Sequence, residues 1–379
     1  MLATRTLLAA SPIITHGRQL VSQLAGPGYV NVGPNAILRS GSYPPPASGS
    51  TGPLTSAAST LTGGFWRINN TPGSGQNTLP NMWASGPATA YAYSNSPSNL
   101  GGVTASAMLI DGYPVASGTY VFQFMDLSSG SLAFYSGGPP AMFRGCRIRG
   151  AIGSPGFFNS QSGGYASSLY LHYNDLGGAG SSSECDIAVQ IGQSGNLRLL
   201  RNYISWVGTG IIVVVTNTFC DIIENMIEGV TLFNGTLHLN GIKLQGGDTN
   251  WLVRRNSVVF DQWDSLGNQI TQTDCIGMIP TFGAFPGTGV NSDGSSGYVI
   301  DSNFVGGAGY CMYLGSNNLN SAVSNLAVIN NQFTTAAYPA GGFNGEVTYP
   351  PPSGWGTSGN VKSGNTWADG PNAGQLVSM

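Results

Sequence analysis

Between about residues 140 and 335 one short word recurs along the chain. It is an apolar residue, two variable positions, Asn, one variable position and a second apolar residue. Asn174 lies between Leu171 and Leu176, Asn202 between Leu199 and Ile204, and Asn225 between Ile222 and Ile227. Asn256 lies between Val253 and Val258, Asn303 between Ile300 and Val305, and Asn331 between Val328 and Phe333. The Asn residues are 28, 23, 31, 47 and 28 positions apart. An earlier copy carries Cys146 at the Asn position, between Phe143 and Ile148 and 28 residues before Asn174. The interval of 47 is close to two periods, so a degenerate copy is expected near 270–280, around ITQTDCIGMI. A repeat of this length is the mark of a solenoid or related array.

The word has a physical reading. Strand residues alternate sides. Apolar residues three before and two after Asn face the same interior only if the chain turns between them. Asn suits such a corner, because it tolerates left-handed φ and bonds nearby backbone. Stacking the corners at the ~4.8 Å strand spacing lets their amides bond one another in a ladder. Further strand words lie between corners: DIAVQIG (186–192), GIIVVV (210–215), GIKLQG (241–246) and YCMYLG (310–315). The expected fold is all-β, a single-stack parallel β-helix. This solenoid would have about 7–8 coils of about 23–31 residues each. A leucine-rich repeat would need helical return segments, and the returns here are rich in Gly, Thr and Val. A β-propeller or β-sandwich remains the alternative architecture.

These coils resemble right-handed parallel β-helix proteins of the pectate lyase-like superfamily. The resemblance spans about Met142 to Thr334. That superfamily includes polysaccharide lyases, glycoside hydrolases and phage tailspikes, so the likeness implies a fold and leaves the activity open. Residues 1–110 read as an irregular head rich in Gly, Pro and Ser, with GSYPPPASGSTGPLTS at 41–56 and a short helix expected over His16–Leu24. Residues 111–340 read as the β-helix and 341–379 as a C-terminal cap. The head and the tail GNTWADGPNAG (364–374) resemble in style β-helical minor tail proteins of bacteriophages.

Composition narrows the function. Charged residues are 8% of the chain, against a usual ~25%. Lys243 and Lys362 are the only lysines and the formal charge is −3, so no basic stripe exists for nucleic acid. No run of 18 apolar residues offers a membrane span. The apolar part of the N-terminus, Leu7 to Ile14, is broken by Ser11 and Pro12, which disfavours a cleaved signal. The five cysteines show no zinc spacing and read as reduced core residues. His16, His172 and His238 are scattered, and no metal or cofactor is expected. NSDGSSG (291–297) reads as a turn, because a calcium loop would need several acids. GGAGSSS (177–183) lacks the lysine of a phosphate loop.

Catalysis on such a fold needs converging carboxylates. The densest acidic sets are Glu224 with Glu228, Asp261 with Asp264, and Asp293 with Asp301. Glu224, next to a corner Asn, is expected to point outward. The most site-like group is Asp261, Asp264 and Asp274, with Trp263 between the first two. The expectation that follows is a non-enzymatic virion component. It would be a phage minor tail, tail-fibre or spike subunit, made in the host cytoplasm and packed with other tail proteins. It would form a homo-oligomer, a trimer being one arrangement, and could contact host-surface polysaccharide. The rival is a carbohydrate-active enzyme, a tailspike depolymerase or a secreted lyase, using those three aspartates.

Overall fold

The computed structural model describes residues 166–178, 185–191, 194–214, 216–230, 239–246, 249–263, 267–271, 273–279, 284–315, 323–348, 350–351 and 353–379, with short strands and turns upstream. The described residues contain strands and no helix, and most strands run parallel. None of them forms a helix long and apolar enough to cross a membrane. The helix expected over His16–Leu24 and the Cys146 copy of the repeat lie outside the described residues.

Among the described residues two large sheets stand out, one of ten strands and one of sixteen. In the ten-stranded sheet, from Tyr120–Gln123 onward, each strand pairs in parallel with its counterpart one repeat further on; Thr89–Ala92 joins the sheet antiparallel. Ala166–His172 pairs with Ser194–Leu200, then come Thr216–Ile223, Trp251–Arg254, Tyr298–Asp301 and Leu326–Ile329. The sixteen-stranded sheet is strongly curled. Its bend is clearest in the 11-residue strand Tyr203–Val213. The first half of that strand pairs with Met226–Val230 and the second half with Leu239–Leu244. Trp206, at φ 58°, sits between the halves. Each turn of chain therefore visits three faces in order, a connectivity compatible with a parallel β-helix or solenoid. In the tail, Gly345–Thr348, Val361–Ser363 and Thr366–Trp367 add one more parallel layer.

The repeat word marks the corner between the ten-stranded sheet and the next face. Leu171, Leu199, Ile222, Val253, Ile300 and Val328 all point into one apolar core. The six ladder residues, Asn174, Asn202, Asn225, Asn256, Asn303 and Asn331, are fully buried. In each layer the backbone N–H and the Nδ2 of Asn both donate to the Oδ1 of the Asn one turn on. For Asn225 on Asn256 both distances are 2.9 Å. The second Nδ2 proton goes to a carbonyl in the preceding turn, that of the apolar residue opening the word there. Asn256 donates to Ile222 (2.8 Å), Asn303 to Val253 (2.9 Å) and Asn331 to Ile300 (2.9 Å). From Asn202 to Asn331 every amide valence is used, as burial requires.

Three points differ from expectation. Asn256 bonds directly to Asn303, and Trp251–Arg254 pairs directly with Tyr298–Asp301. The 47 residues between the two Asn are thus one enlarged turn, and ITQTDCIGMI is no extra corner. It contributes Thr273–Met278 to the sixteen-stranded sheet. The ladder instead has another member, Asn365, which accepts from Asn331 N (3.0 Å) and Nδ2 (2.9 Å). Finally, the left-handed residue is the one before Asn. Tyr173, Arg201, Glu224, Arg255, Ser302 and Asn330 have φ between 53° and 58°, and Gly364 has φ 64°. A side chain there costs about 1–2 kcal/mol. The hydrogen bonds that each corner makes to its neighbours, at about 1 kcal/mol net apiece, offset that cost.

Cys220, Cys275 and Cys311 are buried. Cys275 Sγ donates to the carbonyl of Gly306 at 3.3 Å. Burial raises its thiol pKa well above the ordinary value.

The ladder predicts a sharp mutational contrast. Asn256→Ala removes the acceptor for two buried donors of Asn225 and the donor to Ile222 and Asn303. Orphaned buried groups cost ~1–3 kcal/mol each, so unfolding free energy should fall by roughly 3 kcal/mol or more. Asn372→Ala, at an exposed turn, should change it by about 0.5 kcal/mol or less. Chemical denaturation of both variants checks the contrast.

Candidate functional site

Alternation that sends Leu199 and Ile222 inward sends their neighbours outward. Arg198 and Asp221 are register partners on adjacent strands, and so are Arg254 and Asp301. At the corner, Tyr173, Arg201, Glu224 and Arg255 occupy the same position in successive turns. The outer surface of the ten-stranded sheet and its corner therefore carry charged residues stacked in columns.

These columns are joined along the stack. Glu224 is held from both sides, by Arg201 and by Arg255, with Arg255 Nη2 at 2.6 Å from Oε1. Arg201 also donates to the Tyr173 hydroxyl at 2.8 Å. Burial acts against the Arg201 charge, but Glu224 outweighs it and keeps the guanidinium above its ordinary pKa. Glu224, expected to point outward, is buried between Arg201 and Arg255. Its sequence neighbour Glu228 accepts the hydroxyl proton of Tyr203.

Arg198 is fully buried and lies 2.9 Å from Asp221. Its guanidinium is 4.6 Å from the Tyr113 ring centre and 4.8 Å from that of Phe219. Burial raises the Asp221 carboxyl pKa against the pull of Arg198. One turn further, Arg254 bonds both Asp301 (2.8 Å) and Asp293 (2.7 Å). The expected pair Asp293 and Asp301 is thus brought together, around an arginine. NSDGSSG is a turn, in which Ser295 donates backbone and side-chain protons to Asp293. Burial works the other way, but these bonds and Arg254 hold Asp293 below its ordinary pKa.

The three aspartates singled out in the sequence fall on different elements. Asp264 lies outside the described residues. Asp261 starts the loop that follows Ser257–Val259. Asp274 lies on Thr273–Met278, in register with Asn240, and the charged group acting on it is Lys243. Lys243 itself is in register with Gly277, which has no side chain. A Cβ on Gly277 would sit 2.4 Å from Asp274 Oδ1, so this glycine makes the room the carboxyl occupies. Burial, partly offset by Lys243, pushes Asp274 up to about 8. Burial likewise lowers Lys243, partly offset by Asp274. Burial thus favours the protonated form of Asp274. Among the described residues no group of three or more His, Cys, Asp and Glu is placed to hold a metal ion.

Arg198 and Asp221 were not among the sequence candidates. The signal existed: each lies four residues before a ladder Asn, and equal offsets become side-by-side positions in a stacked repeat. No family model, no curated protein and no solved structure matches this chain.

The Asp274 assignment gives a pH test. Its folded pKa of about 8 lies above the ordinary 3.8. Below the lower value both states hold the proton and the contribution to stability is complete. As pH rises towards about 8 the unfolded chain releases its proton first, so stability falls, and above 8 the loss is finished. Asp274→Asn should remove this loss. Its stability advantage over the native chain should grow between pH 4 and pH 8 to a few kcal/mol in order of magnitude, then level off. Denaturation midpoints of both proteins across that range read it. A pH-independent difference contradicts the assignment.

Proposed function

We propose that the chain is a structural subunit of a phage virion, of the minor tail, tail-fibre or spike kind, built on a right-handed single-stack parallel β-helix. The observation behind this reading is how the carboxylates are used. Glu224 is clamped by Arg201 and Arg255, Asp221 by Arg198, and Asp293 and Asp301 by Arg254. Acid groups tied to arginine across successive turns act as staples between turns. Low charge supports the reading as well, because a surface with few charges is poorly suited to a dispersed monomer. The subunit is made in the host cytoplasm and works in the virion tail. It associates with copies of itself, a trimer being one arrangement, and with other tail proteins. Residues 341–379 close one end of the stack.

A second reading, a depolymerase or secreted lyase, is favoured by one observation. Asp274 is a carboxyl on Thr273–Met278 beside Lys243, and burial raises its pKa to about 8, the direction a general acid needs. Asp261 and Asp264 would be its partners.

Two measurements separate the readings. Sedimentation velocity over a hundredfold range of concentration should show a defined oligomer. Incubation with capsular and cell-wall polysaccharides should leave chain length unchanged. A monomer at every concentration overturns the first reading, and shortened glycan chains establish the second.

A further inference from the structure

Large apolar side chains are well covered among the described residues, with few exceptions. Two exceptions are aromatic, Trp263 at 52% exposed and Phe343 at 47%. They come from different turns of the chain, yet their loops are fastened together. The loop 261–271 is closed by Ile270 N–H donating to the Gln262 carbonyl at 2.9 Å and by an antiparallel bridge between Trp263 and Gln269. The loop 338–344 braces it. The Tyr338 hydroxyl lies 2.6 Å from the Ile270 carbonyl and 3.1 Å from that of Gln262, and Asn344 Nδ2 donates to the Thr271 carbonyl at 3.1 Å. Tyr338 also packs edge-to-face on Phe343, with ring centres 5.7 Å apart.

The turn between these loops is trimmed to let them meet. After Phe304–Gly306 it continues through Gly307, whose N–H donates to the Gly341 carbonyl at 2.8 Å. A Cβ on Gly307 would lie 2.2 Å from the Phe260 carbonyl oxygen. The outcome is two exposed aromatic rings on loops bonded to one another, and the same loops carry Asp261, Gln262, Asn268, Gln269 and Asn344. Singly exposed apolar residues are ordinary, but two on loops joined by three side-chain hydrogen-bond contacts, one loop being further closed by its own bond and bridge, are costly to hold in place without use.

We propose that Trp263 and Phe343 form a binding platform for a neutral oligosaccharide. A pyranose has an apolar face of C–H groups and a rim of hydroxyls. The face stacks on an exposed indole or phenyl ring, and the hydroxyls bond amides and carboxylates beside it. Charge selects the class of sugar. The described residues of the two loops, 261–263, 267–271 and 338–344, carry Asp261 as their one charged side chain and no Lys or Arg, so a polymer of uronic acids is disfavoured. Pre-organisation by the Tyr338 brace means little ordering is left for binding to cost. The platform binds and does not cleave. It is independent of the assembly reading, since a chain that assembles without binding sugar overturns only this inference.

The test is calorimetric titration of the full chain. The probes are hexasaccharides of β-1,4-linked glucose, mannose and N-acetylglucosamine, with oligogalacturonate as the anionic control. Saturable binding of at least one neutral hexasaccharide is expected, with none of oligogalacturonate. Trp263→Ala should weaken it by about tenfold or more. Phe343→Ala should weaken it too, Trp263→Phe should retain most of it, and Leu376→Ala, at an exposed apolar site elsewhere, should leave it unchanged. Absence of binding to every neutral probe, preference for oligogalacturonate, or native affinity in Trp263→Ala overturns the proposal. So does an oligomer lost in Trp263→Ala without any sugar bound, which would make this surface a contact between copies.

Discussion

A buried primary amide has two acceptor sites and two protons, and an apolar interior makes each unfilled one costly. The corner residues from Asn202 to Asn331 fill all four from adjacent turns. Oδ1 accepts two protons from the Asn before it, and Nδ2 gives one to the Asn after it and one to a preceding carbonyl. That requirement sets the vertical register. A slip of one residue would expose each apolar set and orphan each amide together. The left-handed residue before each Asn, the curled sheet and the outward charge columns all depend on that register.

Loop length is then nearly free. Ladder spacings run from 23 to 47 residues, and the longest turn keeps the same corner bonds as the shortest. Insertions collect in the outer connections, where longer loops add only slowly to the entropic cost. The loops 261–271 and 338–344 are products of this freedom, and they present Trp263 and Phe343. The stack is thus a rigid carrier, and surface chemistry is set by which turns are enlarged.

Much of this was legible in the chain, because Asn supplies a phase. Counting back from each Asn places Leu171 and its equivalents inside and pairs Arg198 with Asp221 at the same offset. Two parts escaped. Asn365 has Lys362 three residues before it, where the word requires an apolar residue, since this last strand, Val361–Ser363, is exposed. The third face has no Asn to fix its phase. The register of Lys243 against Gly277, and the burial of Asp274 beside it, therefore followed only from strand pairing. Asp261 and Asp264 looked site-like through closeness in sequence, which in a stacked repeat says less about neighbours than equal offset does.

The most direct test of the ladder is native-state hydrogen exchange at the backbone amides of Asn202, Asn225, Asn256 and Asn303. Each donates to the amide oxygen of the next Asn at 2.9 to 3.0 Å and is fully buried. If the ladder sets the register, these amides exchange only through the largest unfolding event and rank among the slowest in the chain. Exchange at rates typical of the outer loops would show that the corners open locally, and would contradict the account.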